Sequence, residues 1–139
     1  MAEAQQGAEV LTDVDEMLWR NVHPTWIDNG AMTSQAFRPT GKDAGRLSTA
    51  RSGVVTAQEH FTEHTESRGL ESAGVWAISV GEASELELPC MYDEHSPSLP
   101  QPAPKGHTSI DFSGLSGGET RKKAGALRDR AESRGRRHP

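Results

Sequence analysis

His60-Phe61-Thr62-Glu63-His64 sets two imidazoles four positions apart with a carboxylate beside the second. On a helix this spacing stacks the rings one turn apart, an arrangement suited to zinc hydrolysis, where nitrogens hold the ion and a carboxylate takes the water proton. His60, Glu63 and His64 are therefore candidate metal-site residues. A downstream third ligand would have to be Glu119 or Glu132, and Glu132 falls in a basic tail. An amphipathic surface helix with incidental His and Glu explains the same letters, so no metal or other cofactor is assigned.

A second set follows in chain order: Arg20 and His23 within Trp19-Arg20-Asn21-Val22-His23-Pro24, Ser34 in Ser34-Gln35-Ala36-Phe37, and Glu59. An arginine near the start, a hydroxyl on the next strand and a later glutamate resembles the order in ADP-ribosyltransferase-like folds. That resemblance implies that Arg20 or His23 would grip a dinucleotide and Glu59 would fix its ribose. The simpler reading is that Arg20 and His23 flank a core Trp and bond to local backbone. Cys90, the single cysteine, reads as a small buried hydrophobe, although His64 or His107 could approach it after folding. Gly114 to Gly118 reads as a helix-capping turn and lacks the Lys-Ser/Thr of a phosphate-binding loop. If Arg20, His23, Ser34, Glu59, His64 and His107 converge on one cleft, an enzyme or ligand site is favoured; if they disperse, an interaction role is.

The elements that must position these residues are legible in part. Residues 1–12 read as a mobile arm. Val14, Met17, Leu18 and Val22 have helical spacing, while Trp19 and Val22 suit a strand equally. Asn29-Gly30 marks a hairpin turn, with a strand expected over 31–37. Residues 38–46 form an exposed loop, and Ser52-Gly53 a further turn between 47–50 and 54–55. Thr56-x-x-Glu59 is a capping box opening a helix over 57–68 that Gly69 closes. Residues 73–80, apolar on both faces, read as a central strand. One helical turn over 81–86, an edge strand over 88–92 and a strand over 107–112 complete the set. Between them the prolines of 93–106 favour extended structure. Ser116-x-x-Glu119 opens a last helix running to about Arg134, and 135–139 read as a frayed basic end.

The predicted fold class is α+β, a small mixed or antiparallel sheet of about five strands with a central helix and a C-terminal basic helix, in one domain over 13–134. Leu, Ile, Val and Phe make up 22 of 139 residues, which restricts the core to part of the chain. No apolar run approaches the ~18 residues of a membrane-spanning helix. No signal-peptide order opens the chain, so the expected location is cytoplasmic. The net charge of −5 hides a division: residues 1–119 carry 7 basic and 18 acidic side chains, net −11, and residues 120–139 carry 8 and 2, net +6. In the last helix Arg121, Lys122, Lys123, Arg128, Arg130 and Arg134 surround a stripe of Ala124, Leu127 and Ala131. The stripe can dock on the acidic body, leaving the cations for solvent or a protein partner. Nucleic acid is the weaker choice, because no aromatic is interleaved and the body repels phosphate.

LWRNVHPTWIDNG, TSQAFRPTGKDAGRLS, GVWAISVGE and HTSIDFSGLS, followed by a charged helix, together resemble a family of small uncharacterised bacterial proteins over residues 17–134. The resemblance implies a shared compact domain and a bacterial source, and transfers no activity. The expected function is a non-catalytic accessory or interaction protein of a bacterial multi-gene system, with oligomeric state open. The alternatives are the NAD-using transferase and the zinc hydrolase.

Overall fold

A computed structural model describes residues 8–39, 45–97, 99 and 102–138. Among these residues eight strands form: β1 (Glu9–Val10), β2 (Met17–Asn21), β3 (Ile27–Asp28), β4 (Ala31–Met32), β5 (Arg46–Arg51), β6 (Val75–Ser79), β7 (Cys90–Tyr92) and β8 (His107–Asp111). Six of them make one antiparallel sheet in the order β1-β7-β8-β5-β2-β6, with β3 and β4 as a separate hairpin. Helices α1 (Ala57–Thr62, continued by a π turn over Glu63–Ser67), α2 (Val80–Glu85) and α3 (Gly117–Arg134) complete the α+β architecture.

Register assigns each face. Trp19 pairs with Ala50, Ala50 with His107, and Ser48 with Ser109, so alternation puts Trp19, Asn21, Ser48, His107 and Ser109 on one side. There α1 covers the sheet: Trp19 Nε1 donates to the Val55 carbonyl at 2.8 Å and Asn21 Nδ2 to that of His60 at 3.3 Å. Leu18, Leu47, Ile78 and Ile110 occupy the opposite face, fully buried in one core with Ala124, Leu127 and Ala131 of α3. Each such Leu or Ile contributes about 1.5–3 kcal/mol on burial.

All three helices begin with reciprocal capping boxes, Thr56/Glu59, Ser79/Glu82 and Ser116/Glu119. The Asn29-Gly30 turn takes positive φ at both residues (52° and 82°), as the hairpin signal predicts.

Several expectations need correction. The strand expected over 31–37 stops at Met32 and becomes a 3₁₀ turn over Ser34–Phe37, because Ala36 and Phe37 are both buried and a helical turn lets neighbours face one core where a strand would oppose them. β6 lies at the end of the sheet order, not its centre; its five residues are buried because the chain's last residues cover it. Val75 bridges to His138, and Arg136 stacks over Trp76, so 135–138 are packed and not frayed. Within the arm expected to be mobile, Glu9–Val10 pair with β7 and Leu11 is buried; 1–7 lie outside the described residues. That pairing makes β7 an interior strand instead of an edge. Residues 40–44 of the expected loop, 98, 100 and 101 of the Pro-rich segment, and 139 also lie outside the described residues. No described helix is long and apolar enough to cross a membrane.

Candidate functional site

On the α1 face the polar alternation of β5 and β8 produces a hydrogen-bonded relay. Asp93, just past β7, is 1% exposed. Its Oδ1 lies 2.6 Å from His107 Nδ1, and its Oδ2 accepts from Ser109 Oγ at 2.7 Å. On the other side of the ring, His107 Nε2 lies 3.1 Å from Ser48 Oγ. A carboxylate only accepts hydrogen bonds, so the close Asp93 contact places the imidazole proton on Nδ1 and leaves the Nε2 lone pair facing the Ser48 hydroxyl.

The relay opens into a cleft of about 400 Å³ whose floor carries Ser48 and His107 and whose sides carry Arg20, His60, His64 and Arg68. β2 and β5 pair only over Leu18↔Arg51 and Trp19↔Ala50. Beyond that ladder Arg20 bridges the two, with Nε donating to the Ala36 carbonyl and Nη1 to the Ser48 carbonyl, each at 2.9 Å. The π turn, a feature that recurs at functional sites, carries His64 and leads into Arg68, whose Nη2 donates to the Pro102 carbonyl at 3.2 Å. This ties the helix to the Pro-rich wall. Asn21 is locked between the His60 carbonyl and Ser72 Oγ, the latter at 2.7 Å.

Two cleft histidines are held neutral. Burial, followed by coupling to the neighbouring His64, Arg20 and His107, lowers the His60 pKa to about 3. Burial, against a backbone hydrogen bond at Glu71 and with Arg20, Arg68 and His23 adding to it, also holds His64 below the usual histidine range. A neutral buried histidine makes folding acid-sensitive, because between pH ~6.5 and ~3 the unfolded chain binds a proton that folded His60 refuses, so stability falls as pH falls. Chemical denaturation from pH 7 to 4 should therefore show a shallower loss in His60→Gln than in the wild type. An equal slope in the two proteins would rule out this origin.

The residues expected from sequence divide. Arg20, His64 and His107 share the cleft, while His23 lines an adjoining pocket of about 300 Å³ with Trp26, Arg20 and His64. Ser34 opens the 3₁₀ turn packed beside α3, and Glu59 is used by the α1 capping box; neither lines the cleft or the adjoining pocket. Glu63 accepts from the Lys105 amide at 3.2 Å and faces a shallow depression on the outer side of α1. Among the described residues, no group of three His, Cys, Asp or Glu side chains is gathered for a metal ion. Cys90 is 2% exposed, its thiol pushed up to about 12 by burial, and takes no part.

Most of the basic helix is engaged at home. Arg134 holds the Glu82 carboxylate at 2.9 and 3.0 Å, Arg130 lies 3.0 Å from Glu85, Lys123 donates to the Leu86 carbonyl at 2.6 Å and Arg128 to that of Met32 at 3.3 Å. Arg121 and Lys122 are exposed.

Ser48 and Asp93 are site residues that motif spacing did not single out. The one signal for Ser48 is its place in the alternation of β5 opposite Ser109 and two positions from the partner of His107; Asp93, outside any strand, has none. No family model, curated protein or solved structure matches the chain.

Proposed function

We propose that this protein is a hydrolase of the acyl-transfer type, with Ser48 as nucleophile, His107 as general base and acid, and Asp93 as the carboxylate that orients His107. The carrying observation is the continuous Asp93–His107–Ser48 relay, buried at its carboxylate end and open to a cleft at its hydroxyl end. Such a constellation is recognised by geometry and roles, whatever fold bears it.

As Ser48 Oγ attacks an acyl carbon, its proton passes to His107 Nε2, and the Asp93 carboxylate stabilises the imidazolium. His107 then returns the proton to the departing alcohol or amine, and a water activated by the same nitrogen releases the acyl group. Arg20, bonded to the Ser48 carbonyl, is the cation beside the nucleophile and favours the negative charge that develops on the attacked oxygen. The transferase reading has less support, since neither Ser34 nor Glu59 lines the cleft that holds Arg20. An accessory role through a protein partner would rest on Arg121 and Lys122, the other four cations of the helix having partners within the chain.

The test is covalent. A fluorophosphonate should add once to the native protein, peptide mapping should place the adduct on Ser48, and Ser48→Ala should abolish it. No adduct on Ser48, under conditions that label a reference serine hydrolase, would overturn the reading.

A further inference from the structure

Among the described residues, both charged side chains lining the cleft, Arg20 and Arg68, are cationic, in a body that over residues 1–119 is strongly acidic. Their placement is unequal. Arg20 touches the backbone of Ser48 itself, whereas Arg68 belongs to the helical wall, beyond the π turn and against Pro102. The carboxylate closest to Arg68 is Glu63, 3.6 Å away, and it lines the depression on the outer side of α1 instead of the cleft. The rest of the cleft lining is partly apolar, with Leu70, Leu99, Ala103 and Pro104. The cleft thus presents a nucleophile on its floor, an apolar span, and a guanidinium on its wall.

From this arrangement we infer that the preferred substrates are esters or amides whose acyl chain ends in a carboxylate, with the aliphatic stretch against the apolar span and the carboxylate meeting Arg68. The inference rests on the hydrolase reading and adds the substrate class. An arginine fork suits a carboxylate bidentately, and a charged pair of this kind is the stronger sort of hydrogen bond. The histidines agree in sign: Arg20 acts on both His60 and His64, and Arg68 on His64, each disfavouring a further positive charge in the cleft.

The probes are mono(4-nitrophenyl) adipate and 4-nitrophenyl hexanoate, equal in acyl length and differing in a terminal carboxylate against a methyl group. The wild type should show kcat/KM at least tenfold higher for the adipate ester, lost in Ser48→Ala, with the preference shrinking as salt is raised. Arg68→Gln should reduce the adipate-to-hexanoate ratio at least tenfold, mainly through KM for the adipate. If both esters are cleaved through Ser48 with equal kcat/KM, the substrate inference falls and the hydrolase reading stands. If neither is cleaved in a Ser48-dependent way and Ser48 also resists the fluorophosphonate, both fall together.

Discussion

Asp93→Asn should lower kcat/KM for a Ser48-dependent ester about 10³- to 10⁴-fold while leaving the protein folded. Asn has the size of Asp and keeps one oxygen, which can still accept from Ser109 Oγ where Asp93 Oδ2 now does at 2.7 Å. Its amide nitrogen then faces His107 Nδ1 and donates. The ring must accept at Nδ1 and move its proton to Nε2, where it points at Ser48 Oγ and removes the base. Every buried partner stays satisfied, so the melting temperature should change by only a few degrees. Asp93→Ala is the contrasting variant: it strands both His107 and Ser109, and about 1–3 kcal/mol of stability should go with the activity. An Asp93→Asn protein retaining activity within tenfold would mean that His107 does not need the carboxylate, and the relay would lose its catalytic meaning.

Leu127→Ala should destabilise the protein by about 2–5 kcal/mol, lowering Tm by roughly 10 °C. The buried stripe of α3 consists of Ala124, Leu127 and Ala131, each 0% exposed, so Leu127 is its one large side chain. Small neighbours bring the helix close to the sheet but have no atoms to fill the space a lost isobutyl group would leave. Leu127→Met, which conserves volume, should cost less than about 1.5 kcal/mol. Alanine at exposed Arg121 or Lys122 should leave Tm unchanged. A Leu127→Ala protein within 1 kcal/mol of the wild type would show that α3 is held chiefly by its polar contacts, led by Arg134 with Glu82. That pair has its own signature. Burial raises the Glu82 pKa, but Arg134 and the Ser79 amide outweigh it and leave the carboxyl below the usual range. Its contribution is therefore complete above about pH 4.5 and fades as pH falls through the lowered value.

Much of the fold was legible because local rules and tertiary demands agreed. Capping boxes at Thr56 and Ser116 mark helix starts where the backbone has orphan donors to satisfy, and the Asn29-Gly30 turn is specified by its own φ angles. Agreement failed where long-range packing decided. The buried pair Ala36-Phe37 needed a 3₁₀ turn that no local signal announces, and β6 reads as central because the segment that buries its outer side is more than fifty residues distant, at His138. The site was half legible for the same reason. Arg20, His64 and His107 were candidates by residue type. Ser48 and Asp93 are ordinary letters in a strand and a loop, and acquire a role only when β5 and the end of β7 come to lie on either side of β8.

The strand order also bears on how the chain reaches its native state. Of the consecutive strands of the main sheet only β2 with β5 and β7 with β8 are neighbours in it, the first pair across an intervening hairpin, and contacts such as Thr49 Oγ1 to the Thr108 carbonyl join residues 59 positions apart. Each ladder must meet the entropy of a long loop before its hydrogen bonds compensate, which places folding in the slow, millisecond-to-second regime of non-local β topologies. β8, the last strand in the chain, fills the gap between β7 and β5, so until it inserts the sheet exists only as separate halves. Ser48 sits on one half and Asp93 beside the other. The relay therefore has no partly folded precursor: chemistry arrives with the closing strand, and a chain that opens along β8 loses it at once.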